Sequence, residues 1–299
     1  KSLVGSEMCI RDRSVANSDT TVALENFAGN LLFFIDEERV TGGLKTNSLV
    51  WSTNTTETRI NNITAGLNFL ASPHALLQGD VSYAAENAVI KLAGNDICVN
   101  GLGAQFISIV KGDLFSFIKR LEFREINNGF LVAGPGAIEL EFENIKASAI
   151  QAIGKYSKSA ANINSENEDA PSEQSRKIAE LLKSAIADNS RIKVNEFAIT
   201  TPPGDIVGSL QLNLATLENE SFDSWLPKIK LDANLSVPVE TVHNYLAATA
   251  QYNEEEIEQF MQLQVQNGFF VKADESYQTI LQLRQGIFTA NGKTIDLTI

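Results

Sequence analysis

The chain is short of most of the groups on which chemistry is built. It has two histidines, His74 and His243. A hydrolase triad needs one of them beside a nucleophile and an acid, and neither lies in a nucleophile-elbow pattern. His74 follows Pro73 in an expected turn and His243 falls in an expected helix, so both read as structural or surface residues. Positive charge is also scarce: 24 Lys and Arg stand against 37 Asp and Glu, a net charge of −13. Such a surface repels phosphate backbones and anionic headgroups, which excludes nucleic acid as an expected partner. Long apolar runs are missing as well. None approaches the roughly 20 residues that a bilayer-crossing helix requires, and the apolar cluster Leu31-Leu32-Phe33-Phe34-Ile35 suits a buried strand. Strands and helices do not alternate regularly, which argues against a Rossmann-type or α/β-barrel enzyme.

What is present describes a folded protein: 43% hydrophobic and 20% charged residues match ordinary globular composition. The start is unusual. The chain opens on Lys1 rather than Met, and Ser2 to Arg13 looks like a peptide produced when sequencing-adapter read-through is translated. Residues 1–13 are therefore set aside from fold reasoning, with the expectation that a signal peptide or anchor once stood upstream. Cys9 is set aside with them. That leaves Cys98, which lies in the apolar run Ile97-Cys98-Val99 and reads as a small packed hydrophobe.

Residues 14–145 read as a strand-rich region. Apolar or alternating runs cover Phe27 to Phe34, Thr46 to Thr53, Thr58 to Phe69 (imperfectly at Asn61-Asn62), Ala75 to Tyr83, Asn87 to Leu92, Ile97 to Leu102 and Phe106 to Val110. Gly79, Gly94-Asn95-Asp96 and Asn100-Gly101 are taken as the turns between them. Asp113 to Leu121 is expected to be a short helix, with Leu114, Phe117, Ile118 and Leu121 on one face. Gly134-Pro135-Gly136 is expected to be a turn. Residues 146–190 form a helical and linker region: a helix at Lys146 to Asn162, a polar loop, then a helix at Glu173 to Asp188 with Asp169 and Pro171 before it. Residues 191–299 are an α+β region. Its strands include Ile206 to Ala215 and Lys228 to Val237, whose alternation predicts one buried and one wet face. Helices follow at Pro238 to Ala250 and from Asn253, an N-cap ahead of Glu254, Glu255 and Glu256, to a Gly268 cap. A meander with an Asn291-Gly292 hairpin closes the chain. The fold class is α+β: mostly antiparallel sheet in long meanders and hairpins, with a few helices in the C-terminal half.

The segments Phe197-Ala198-Ile199-Thr200-Thr201-Pro202-Pro203-Gly204-Asp205, Ala233-Asn234-Leu235-Ser236-Val237-Pro238, Val265-Gln266-Asn267-Gly268-Phe269-Phe270-Val271 and Gly286-Ile287-Phe288-Thr289-Ala290-Asn291-Gly292-Lys293 carry a family pattern. In them the chain resembles the C-terminal half of the YdgA-like bacterial family, domain of unknown function 945. The resemblance covers about the last hundred residues by motif, and about 45 to 190 by strand rhythm. It implies a membrane anchor at the N-terminus and a body in the periplasm. It brings no catalytic residues.

Other candidates have ordinary explanations. Glu254, Glu255, Glu256 and Glu258 start a helix and lack the turn geometry of a calcium loop. Asn100-Gly101-Leu102-Gly103 lacks the third Gly and the following helix of a dinucleotide loop and is taken as a turn. Trp51, Trp225, Phe269 and Phe270 are assigned to core packing or cross-strand contacts. The sequence thus assigns no catalytic, cofactor-binding or metal-ligating residue and no cofactor. The expected function is a non-catalytic envelope protein, with lipid in an apolar groove or envelope proteins as partners. The alternatives are a scaffold module for surface machinery and, less favoured, a hydrolase.

Overall fold

The computed structural model describes residues 3–16, 20–72, 76–92, 95–129, 131–160, 176–177, 180–181, 183–216, 226–250 and 252–295. They form one sheet of 17 strands. The first seven make an antiparallel meander of successive hairpins: β1 (Leu3–Ala16), β2 (Thr20–Phe34), β3 (Arg39–Thr53), β4 (Glu57–Ala71), β5 (Leu77–Leu92), β6 (Asn95–Lys111) and β7 (Leu114–Phe123). β8 (Glu125–Asn127) and β9 (Val132–Ala133) prolong the hairpin that joins β7 to β10 (Gly136–Lys146). β10 pairs next with β11 (Ile186–Thr201), then β12 (Gly204–Leu214), β13 (Lys230–Pro238) and β15 (Ser276–Arg284). β14 (Val271–Ala273), β16 (Ile287–Ala290) and β17 (Lys293–Thr294) complete that end. Helix α1 (Ala147–Ala160) follows β10, and the described residues between 176 and 185 are helical. Helices α2 (Val239–Ala250) and α3 (Glu254–Asn267) connect β13 to β14.

The fold class follows the sequence reading, but several local expectations do not. Leu114 to Leu121 lies in strand β7, not a helix, with Asp113 in the turn before it: Phe115, Phe117, Lys119 and Leu121 point to one side of the sheet, and Phe117 stacks on rings of both neighbouring strands. A helical spacing of apolar residues is outweighed here by cross-strand packing. Gly79 and Asn100-Gly101 are not turns but lie inside β5 and β6, each of which unites two expected short strands. The hairpin at Gly134-Pro135-Gly136 is also displaced. Its turn lies at Asn128 to Leu131, while Gly134 donates its N–H to the Thr200 carbonyl and Pro135 accepts from the Thr200 N–H. Gly136 is held to glycine by its neighbour, since a Cβ there would meet the Phe123 ring at 2.3 Å. Ile186 to Asp188, assigned to a helix, open strand β11. The rest of that helix and its caps at Asp169 and Pro171 lie largely or wholly outside the described residues.

A crease explains why alternation is imperfect. The ladders β2–β3, β4–β5 and β5–β6 are interrupted beside Asn26, Asn62 and Gly101, whose φ values of 50°, 51° and 62° are left-handed. The apolar parity slips by one there: Val22 and Leu24 precede Asn26, while Leu31 and Phe33 follow it. Aligned irregularities of this kind bend a sheet without breaking it.

Opposite residues in an antiparallel ladder share a face, so the registers show which side chains lie together. One row runs Phe33, Val40, Phe69, Gly79, Ser108, Phe117, then Phe142, Ile192, Leu212, Leu231, Leu283 and Phe288. Two residues along, the same face carries Leu31, Leu67, Val81, Phe106, Leu140, Val194, Leu210 and Leu281. The row between them faces the other way and carries Leu32, Thr41, Asn68, Asp80, Ile107, Ile118, Glu141, Lys193, Gln211, Asp232 and Gln282. The sheet is therefore amphipathic on most strands, with an interruption at β6 and β7, where Lys119 enters the apolar row and Ile107 and Ile118 the polar one.

Candidate functional site

The apolar face is large and thinly covered. Its rows cross strands spaced about 4.8 Å apart, which makes it about 50 Å wide and, at three side-chain rows deep, of order 800 Å². Most side chains in these rows are half-buried, so the exposed apolar area is smaller than this outline. Phe33, Leu44, Tyr83, Phe106 and Leu121 on this face are each more than a third exposed. The buried apolar set is correspondingly poor in large side chains: eight of its thirteen described members are alanine. An aromatic ladder runs across the middle of the face, with ring centroids 5.5 Å apart for Phe106–Phe117 and 4.4 Å for Phe117–Phe142. Such stacking holds the rings in fixed orientation.

Helices α2 and α3 cover one end of this face. Their inner stripes place Val239, Val242 and Leu246 from α2 and Ile257, Met261 and Val265 from α3 around Tyr277 of β15. Local sequence fixes both ends of α3. The Asn253 side chain accepts from the Glu256 N–H at 3.0 Å, Glu256 accepts from the Asn253 N–H at 2.9 Å, and Gly268 closes the helix with φ 85°. The packing leaves a cavity of about 480 Å³ between the helices and Ile206, Leu235, Val237 and Tyr277. These four belong to the apolar face, so the cavity continues it. Tyr245 and Phe260 also line it and remain 63% and 41% exposed, which makes them an aromatic border open to solvent. Burial pushes the Tyr277 phenol above its ordinary pKa, and the negative charge of Glu258 adds to the rise, so this lining group stays neutral well past pH 7.

The polar face is tied by ion pairs. Lys193 lies 2.7 Å from Glu143 and 3.7 Å from Glu141, and Arg120 lies 3.6 Å from Glu196. Arg284 pairs with Asp232, and its hydrogen bond holds the Asp232 carboxyl below the usual carboxylate range. Among the described residues no group of three or more His, Cys, Asp or Glu is arranged to hold a metal ion.

The sequence candidates do not converge. His243 sits on α2 with its Nε2 3.9 Å from a Glu258 carboxylate oxygen, beyond hydrogen-bond reach. His74 and Trp225 lie outside the described residues. Cys98 is a half-buried free thiol in β6, opposite Val89 and Asn127. Trp51 is outside the core, 56% exposed on β3, and of its two expected roles keeps the cross-strand position, opposite Val22 and Thr58. Phe270 packs on the α2–α3 cluster, while Phe269 is 37% exposed. The cavity itself was not anticipated. Its signal was the breadth of the apolar stripe on α2, where Tyr245 and Ala248 widen the face set by Val242 and Leu246.

Among the described residues, no helix is long and apolar enough to cross a membrane, which says nothing of strands. Comparison with known proteins finds no match among curated proteins and none among solved structures. A family model described as a bacterial protein of unknown function matches residues 5–298. With nearly its whole length matched, the chain belongs to that bacterial family of unknown function, DUF945.

Proposed function

We propose that this chain is the non-catalytic body of a bacterial envelope protein, periplasm-facing and membrane-anchored in its full length, that holds lipid hydrocarbon on the apolar face of its sheet. One observation carries the reading: an apolar band about 50 Å wide on which, among the described residues, α2 and α3 pack at one end while Phe33, Leu44, Tyr83, Phe106 and Leu121 stay more than a third exposed. A protein in water keeps such a surface at a cost in stability and solubility, and binding of hydrocarbon offsets that cost. The polar opposite face, with its acidic net charge, keeps the loaded protein soluble. The envelope setting rests on the resemblance to YdgA-like proteins, and lipid is the apolar ligand that this setting supplies. The test is to export the chain to a bacterial periplasm, purify it without detergent and record its native mass. A stoichiometric lipid adduct is expected. A clean apo mass, with the protein monomeric and folded, overturns the lipid reading and favours a scaffold that covers the face with a protein partner.

A further inference from the structure

The α2–α3 cavity is more selective than the open face, and two observations say for what. First, its 16 lining residues include no Asp, Glu, Lys, Arg or His; the polar groups it offers are amides, hydroxyls and the Tyr277 phenol. An ionised group placed there would be desolvated without a counter-charge, which is strongly unfavourable. Second, the segment 239–267 that forms α2 and α3 has five glutamates, Glu240, Glu254, Glu255, Glu256 and Glu258, and neither Lys nor Arg. Glu240 and Glu254 line a separate cleft on the other flank of α2 with Lys272 and His243, and Glu258 faces His243, so what α2 and α3 withhold from an anionic headgroup at the cavity border is a counter-charge. The volume of about 480 Å³ lies within the range of small-molecule sites and far above a packing void.

We infer that the cavity between α2, α3 and the sheet is a binding site for one hydrocarbon chain whose headgroup bears no negative charge, such as a long-chain alcohol or the acyl chain of a neutral lipid. This rests on the reading of the apolar face as a lipid-holding surface and adds where a chain is anchored and which headgroup is refused. Tyr245 and Phe260 form the border over which the chain enters, and the chain then runs along Leu235 and Val237 toward the open face.

The experiment uses two fluorescent probes of equal length, pyrene-dodecanol and pyrene-dodecanoate, titrated into the detergent-free protein at pH 9, where the acid is ionised. Two variants accompany the wild type. Ala248→Trp fills the cavity from an exposed helix position that does not support the core, and Phe106→Ser alters the open face on β6, outside the cavity lining. The expected result is saturable binding of the alcohol at least tenfold tighter than the acid, weakened at least tenfold by Ala248→Trp and less than threefold by Phe106→Ser. Equal or tighter binding of the acid overturns the charge selectivity. Loss of binding in Phe106→Ser with none in Ala248→Trp overturns the cavity as the site but leaves the lipid-holding face standing. Absence of binding by either probe to the wild type overturns both.

Discussion

Replacing Ile257 with Ala tests whether α2 and α3 are a separate cap on an otherwise self-supporting sheet. Ile257 is 2% exposed and packs with Met261 and Tyr277 at the centre of the cluster that holds both helices to β15. Truncation of a fully buried Ile to Ala costs about 2–5 kcal/mol. The cavity beside this cluster gives its surroundings room to relax, which places the cost near the lower middle, about 3 kcal/mol. Because the large side chains of the cluster come from α2, α3, Phe270 and β15, that loss falls on local opening of the cap rather than on the β2–β6 meander. Three kcal/mol is about a 150-fold change in an opening equilibrium. Hydrogen exchange read by mass spectrometry should then show amides of residues 239–267 exchanging about 150-fold faster, with β2 to β5 unchanged. A change under fivefold at the cap, or an equal acceleration in every strand, would refute the idea that the cap is a separate unit held by this cluster.

Other expectations follow from single positions. Asn253→Ala removes the capping interaction at the start of α3 and should lower its stability by about 1 kcal/mol, visible in the same exchange data. Gly101→Ala places a Cβ 2.9 Å from Arg124 Cβ at φ 62°, so it should cost about 1–3 kcal/mol in urea unfolding; an unchanged midpoint would mean that the crease relaxes freely. Arg284→Gln tests the depressed pKa of Asp232. A carboxylate whose folded pKa lies below its unfolded value adds stability above the unfolded value and loses it as pH falls through the folded one. The variant should therefore unfold at lower urea than the wild type at pH 7. The gap should be small, at most about 0.5 kcal/mol for so exposed a pair, and it should close as the pH falls below the usual carboxylate range.

Much of the architecture was legible because strands announce themselves in this sequence. The runs Leu210–Leu214 and Ile229–Val237 alternate strictly, and the ladder puts their apolar and polar residues on opposite faces, but burial does not follow: Leu210, Leu212 and Leu214 are half-buried like Gln211 and Asn213. Caps were equally plain, since Asn253 and Gly268 act through their own chemistry. The losses have one physical cause. Strands of 15 to 17 residues that cross a crease contain Gly and Asn at their middles, and local reading takes those residues for turns. β7 was mistaken because Leu114, Phe117, Ile118 and Leu121 happen to match a helical stripe, and only the partners Phe106 and Phe142 decide between the two periods. Single strands show that one face is apolar. That twelve strands present the same face in one band, broken at Lys119, is a property of register, which no local pattern contains. The α2–α3 cavity likewise exists only once the helices have folded back on β13 and β15.

The most direct measurement of the central claim uses two adjacent residues on opposite faces of one strand. Gln105 and Phe106 are neighbours in β6; Phe106 lies in the apolar row with Val81, and Gln105 lies in the polar row with Ser82. A photoreactive phenylalanine analogue placed at each position in turn, irradiated in living bacteria that express the protein, reports what each face touches. The account predicts lipid cross-links from position 106 and none from position 105. Equal cross-linking from both, or lipid at 105 alone, would contradict it.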